Sequence, residues 1–167
     1  IYTAPEFRFG RYKASNRRTV HLGIDIFAPA EVPIFSPMDG EIVAIENRTN
    51  GLDYGGMIIL KHKTDDNDIF YSLYGHLNPN FSKRHIVGKK IKKGEQFCVL
   101  GDIGVNGGWA PHLHFQIALI TNGLENDWPG VAAGCSKSEG KKTSPCFLVT
   151  GKRLPKRSSI LFGCKPC

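Results

Sequence analysis

The chain has 167 residues, 22 Lys or Arg against 15 Asp or Glu, and 41% apolar residues. That is one domain's worth of chain with enough apolar side chains for a real core, and 22% charged residues exclude wholesale disorder. No apolar run approaches the roughly 20 residues a bilayer-spanning helix needs, so no transmembrane segment is expected.

Nineteen Gly and ten Pro argue for short strands and frequent turns rather than a helical bundle. The first residue is Ile1, and no charged-then-apolar leader follows it. We read this as a segment cut from something longer, or processed. Residues 1–18 mix aromatics and arginines without a period and read as an N-terminal arm. From residue 19 the pattern becomes β. Val32-Pro33-Ile34-Phe35 is a short strand in which Pro33 fits an edge or a strand start. Asp39-Gly40 signals a turn, and Glu41 to Glu46 alternates after it. Gly56 to His62 and Ile69 to His76 read as paired strands joined by the polar loop Thr64 to Asp68. Lys89 to Lys93 leads to a turn at Gly94, and Gln96 to Leu100 forms a strand. Gly101 to Gly108 is a glycine-rich loop, and His112 to Ile120 is a long alternating run. No segment sustains a 3.6-residue period, so little helix is expected. Periodicity is lost after Trp128-Pro129-Gly130, which puts the main domain at residues 19–135.

Residues 136–167 form a basic tail or linker. They hold eight basic residues against Glu139 alone, whereas residues 1–135 balance at 14 each. Such a tail could touch a polyanion, but no stacking platform or nucleic-acid motif accompanies it, so no specific nucleic-acid partner is expected. Deleting it is expected to spare the fold. Four of five cysteines (Cys135, Cys146, Cys164, Cys167) crowd this end; Cys164-x-x-Cys167 lacks a second tight pair and is a weak metal signal. Cys98 sits in an apolar strand and reads as a buried small hydrophobe.

The six histidines carry the chemistry. In His112-Leu113-His114, strand geometry points residues i and i+2 the same way, so two imidazoles share a face. Packing alone explains this pair poorly; a metal or a catalytic role explains it better. His21-Leu22-Gly23-Ile24-Asp25 sets a second His and a carboxylate on one face of an extended segment. Two His and one Asp suit Zn²⁺ and leave a fourth position for water, the composition of a catalytic site. Zinc brings the pKa of such a water to about 7. No His-Glu-x-x-His is present, so a histidine must serve as base; His112 and His76, in Tyr74-Gly75-His76-Leu77, are the candidates. His62 reads as a structural hydrogen-bonding group, and His85 as a solvent-exposed residue in a basic loop.

In order along the chain, His21-Leu22-Gly23-Ile24-Asp25, Gly40-Glu41-Ile42-Val43, Ile59-Leu60-Lys61-His62, Tyr74-Gly75-His76-Leu77 and Pro111-His112-Leu113-His114-Phe115 resemble the M23 zinc metallopeptidases of the lysostaphin and LytM type, over about residues 19–120. The resemblance implies a mainly β fold, a twisted antiparallel sheet (a duplicated hybrid motif) with a metal-binding groove. It implies one zinc per chain on His21, Asp25 and His114, with His76 and His112 catalytic. It implies hydrolysis of peptide bonds, usually in stem or cross-bridge peptides of peptidoglycan. Two departures stand out: Gln116 where the family commonly has Glu, and Trp109 in a run that usually contains Thr or Ser. Gly107-Gly108-Trp109 and Pro129 to Ala132 are similar to M23 domains embedded in larger chains, which would make the tail an interdomain linker and allow a non-wall peptide substrate. A non-catalytic LytM-like binding domain and a lipoyl- or biotinyl-carrier fold are the competing readings. Neither has a use for all five residues, and metal content discriminates.

Overall fold

The computed structural model describes residues 18–119 and 126–133. The N-terminal arm up to residue 17 and the basic, cysteine-containing tail lie outside the described residues. Along the chain run β1 (Arg18–His21), β2 (Ile24–Phe27), β3 (Pro33–Phe35), β4 (Gly40–Arg48), β5 (Gly55–Lys63), β6 (Ile69–Leu77), the single helical turn α1 (Pro79–Ser82), β7 (Lys90–Ile91), β8 (Gln96–Val99), β9 (His112–Ala118) and β10 (Val131–Ala133). The fold is mainly β with little helix, as the sequence pattern requires.

Six strands form one antiparallel sheet in the order β2-β9-β6-β5-β4-β7. Two antiparallel pairs, β3-β8 and β1-β10, accompany it. Both faces of the sheet are covered. Ile58, Leu60, Tyr74 and Leu113 pack on one face with Ile34, Phe97 and Cys98 of the β3-β8 pair. Met57, Ile59, Leu73 and Ala118 pack on the other with Tyr54 and Trp128. Central strand β5 is therefore apolar on both sides, which is why Met57 to Leu60 reads as an unbroken run rather than an alternation. Cys98 is fully buried, and burial pushes its thiol up to about 12, so it is an inert packing residue.

Two register shifts re-aim side chains. One between Ile42 and Ala44 sends these residues, two apart, to opposite faces. The other lies in the β5-β6 pairing: Ile58 faces Tyr74 but Gly56 faces Leu77, so β6 carries an extra residue at Gly75-His76. His76 in this bulge has φ of 62°, a left-handed conformation that costs a non-glycine residue about 1–3 kcal/mol. Three contacts from separate segments hold it there. Its N–H donates to the Tyr54 carbonyl (2.8 Å), its own carbonyl accepts from Gly101 N–H (2.8 Å), and its Nδ1–H donates to the Asn106 carbonyl (3.0 Å).

Two elements escaped the sequence pattern, the short turn α1 and the strand β10. Residues 131–133 form β10 and pair with β1, His21 opposite Val131. A three-residue strand is too short to show a period. What holds it is upstream: Trp128 is buried on the sheet, Arg48 pairs with Asp127 at 2.6 Å, and Leu22 N–H donates to the Gly130 carbonyl at 2.9 Å. Residues 126–133 thus strap β1 to the body.

Candidate active site

His112, His114 and Gln116 project from one face of β9, while Leu113 and the half-buried Phe115 turn toward the opposite core. Asp25 of the edge strand β2 lies opposite His114, and Phe27 opposite His112. His21 comes from β1. It was expected to share one extended segment with Asp25; instead the chain breaks at Leu22-Gly23 and the two residues sit on separate strands. The bend needs glycine: a Cβ on Gly23 would lie 2.7 Å from the His114 ring and from the Phe115 carbonyl oxygen.

Three donor atoms converge. His21 Nε2 lies 3.0 Å from His114 Nδ1, His114 Nδ1 lies 3.1 Å from Asp25 Oδ1, and His21 Nε2 lies 3.2 Å from Asp25 Oδ1. Tetrahedral zinc with bonds of about 2.05 Å separates its donors by about 3.3 Å, so this triangle has the size the ion requires. The tautomer agrees. His114 Nε2–H donates to Gln116 Oε1 at 3.1 Å, which leaves the Nδ1 lone pair facing the Asp25 carboxylate. Two lone pairs at that distance repel unless a cation lies between them. Partial burial would raise the Asp25 carboxyl, but the His114 and His21 rings beside it more than offset this and hold the group well below the usual carboxylate range. Asp25 is thus ionised at any pH where a metal ligand is needed. The set fits a single divalent cation.

Beside this triangle stand His76 and His112, ring centroids 4.2 Å apart. Each has its Nδ1 tied to a backbone carbonyl, His76 to Asn106 and His112 to Ala110 at 2.6 Å. Each Nε2 is therefore the free acceptor. His112 Nε2 lies 3.7 Å from Asp25 Oδ1. Burial and the facing His112 push His76 down to about 3, so it is neutral near pH 7. His76 and His112 are both buried to within a few per cent of their surface.

Several site residues carry no signal in the sequence. Tyr54 lies between His76 and His114, at 5.8 and 5.3 Å. Phe27, exposed to water, stacks on His112 at 5.0 Å. Trp109 lies edge-on to both His76 and His112. Asn106 is fully buried. It accepts His76 through its carbonyl and bonds both the N–H and the carbonyl of Trp109 through its side chain. The 105–108 loop meets residues 52–55 backbone to backbone. Gly107, at φ 85°, accepts from Leu52 N–H, and a Cβ on it would lie 2.2 Å from the Asp53 oxygen.

The remaining histidines are structural. His62 donates from Nδ1 to the Asp39 carbonyl (2.8 Å) and accepts Ser72 O–H at Nε2 (2.7 Å). His85 corrects the expectation of a solvent-exposed side chain: it is half-buried, donates from Nε2 to the Phe97 carbonyl and accepts from Lys89 Nζ, because the turn after α1 folds back onto β8. Burial lowers the His62 pKa below the ordinary 6.5. The unfolded chain therefore binds the proton more readily, and the stability due to neutral His62 is complete above about pH 6.5 and is lost as pH falls below it. His62→Gln should flatten the decline in urea midpoint between about pH 7.5 and about pH 5. An unchanged slope would mean that His62 does not titrate across unfolding.

Several known proteins are similar to this chain. A protein of Haemophilus influenzae described as an uncharacterized metalloprotease is 28% identical over 142 residues, covering 83% of this chain and 27% of that protein. The peptidoglycan DD-endopeptidase ShyB of Vibrio cholerae is 24% identical over 134 residues, 80% of this chain and 29% of its own. The chain thus spans under a third of the length of these relatives. The catalytic domain of the antimicrobial peptidase lysostaphin from Staphylococcus simulans superposes with a TM-score of 0.47 at 25% identity, covering 68% of this chain and 74% of that domain. The family model for peptidase family M23 matches residues 19–127, from the strand that carries His21 to the strap that holds it, and the chain belongs to that family.

Proposed function

We propose that the chain is a zinc-dependent endopeptidase that hydrolyses peptide bonds, with stem or cross-bridge peptides of peptidoglycan as substrate. The observation that carries the reading is the His21, Asp25, His114 triangle with two Nε2-free imidazoles beside it. When bound, zinc supplies Lewis acidity that activates water near neutral pH and polarises a carbonyl. Everything else falls to the chain. Asp25 offsets the cation's charge, and Gln116 fixes the His114 ring so that Nδ1 faces inward. His76, its Nδ1 proton committed to Asn106, presents an Nε2 lone pair that can accept a proton and return it to the leaving amine nitrogen. His112, fixed from Ala110 with its Nε2 toward the triangle, can donate from Nε2 to the oxygen that gains negative charge when its ring is doubly protonated. The exposed ring of Phe27 offers an apolar wall where the peptide passes His112. The substrate class leans on ShyB, a peptidoglycan DD-endopeptidase by description.

The test is direct. Zinc-loaded chain is incubated with peptidoglycan fragments and with glycine-rich and D-amino-acid peptides, and products are identified by mass. Cleavage of a wall peptide that a chelator abolishes is expected. Binding of such peptides without cleavage would leave a recognition domain; cleavage of non-wall peptides alone would move the substrate elsewhere.

A further inference from the structure

At the sheet edge opposite β2, five strand spacings or about 24 Å from that strand and its Asp25, lies a surface the peptidase chemistry does not use. Residues 83–93 hold six Lys or Arg residues. Three carboxylates answer them: Glu41 to Lys90, Asp39 to Lys92, and Glu95 to Lys89. An excess of three positive charges remains. Within this basic segment Ile86 and Val87 are 73% and 62% exposed. They are not on a loose loop. Gly88 N–H donates to the Ile42 carbonyl at 2.7 Å, Ile42 N–H donates to the Lys89 carbonyl at 2.9 Å, and Lys89 N–H closes the turn on Ile86. Two branched aliphatic side chains are thus held out in water by a turn stitched to β4. Phe35 and Met38, also exposed, flank the same edge, where Ser36 N–H bonds the Glu95 carbonyl and Gly94 N–H bonds the Ser36 carbonyl.

Lysines on a two-residue edge strand do block edge-to-edge pairing of sheets. That role does not call for aliphatic residues held in water. A soluble polyanion would meet the cations but gain nothing from Ile86 and Val87. The surface that rewards both features is an anionic bilayer, whose headgroups attract the lysines while the aliphatic tips enter the headgroup–acyl boundary. We propose that the β7 edge, with Ile86 and Val87 at its tip, docks the domain on an anionic lipid surface. Docked this way, β2 and the metal site face away from the lipid and stay open to substrate.

The experiment uses the full chain and co-sedimentation with two vesicle types, phosphatidylcholine alone and equimolar phosphatidylcholine with phosphatidylglycerol. Binding to the anionic vesicles only, weakened by salt, is expected. Ile86→Ser with Val87→Ser should lower that binding about tenfold or more, a scale set by the apolar groups removed, while leaving heparin binding and Tm unchanged. Lys83→Gln, Arg84→Gln and Lys93→Gln together should weaken binding to both vesicles and heparin. Vesicle binding that survives Ile86→Ser with Val87→Ser intact overturns the proposal and assigns any lipid affinity to the basic tail. Equal loss of vesicle and heparin binding in that variant overturns it as well, since it would show a polyanion site without insertion.

Discussion

Replacing Asp25 with Ala is expected to strip most of the zinc from the chain under dilute conditions. The carboxylate supplies one of three converging donors and the only negative charge in the triangle, and its loss leaves two imidazoles 3.0 Å apart with nothing to balance a dication. The same should hold for His21→Ala and His114→Ala. Gln116→Ala should act more weakly. It removes only the acceptor that orients His114, so zinc affinity should fall about 10- to 100-fold while stoichiometric binding persists at high zinc. His62→Ala and His85→Ala, whose rings bond elsewhere, should keep their zinc. Metal content after gel filtration, with affinity from competition against a chromophoric chelator, reads all of these. Stoichiometric zinc in Asp25→Ala would remove this residue from the ligand set.

Substitution of His76 or His112 is expected to have the opposite signature: metal retained, turnover lowered by about 10²-fold or more. The two rings abut the triangle, yet neither supplies one of its three closest atoms. His76 needs a second variant because its backbone is left-handed, and Ala at φ 62° would add strain to the loss of the ring. Asn tolerates that conformation, so His76→Asn separates a missing proton carrier from a disturbed bulge. Both variants should show low kcat with zinc at one per chain. Wild-type kcat in His76→Asn would make the ring a packing group only. Loss of zinc in His112→Ala would place His112 among the ligands.

How far the site could be read in advance depends on the range of the interaction concerned. The His112/His114 pair follows from the two-residue period of a strand, a local property fixed by the residues themselves. The paired strands Gly56 to His62 and Ile69 to His76 were legible for the same reason, with a polar five-residue loop between them. His62 was legible as structural because it closes an apolar strand. The relation of His21 to Asp25 was not. Their spacing suggested one straight segment, but a bend at Gly23 divides them, and glycine is required there by the close approach of the His114 ring, 91 positions downstream. His85 was misjudged from its charged neighbours, since its acceptor, the Phe97 carbonyl, arrives from the next strand.

The sequence by itself determined the mainly β character, the turn positions, the identity of the metal-suited residues and the family to which the chain belongs. These rest on side-chain chemistry and on periods that span a few residues. Tertiary structure alone decided how the parts are aimed. It set the bulge that twists His76 into a left-handed conformation and the buried Asn106 that ties His76 to Trp109. It also set the Gln116 contact on His114 and the short β10 strap that carries β1 and His21 to the sheet. Each of these depends on hydrogen bonds between segments far apart in the chain, and no local pattern encodes a partner that only folding brings within 3 Å.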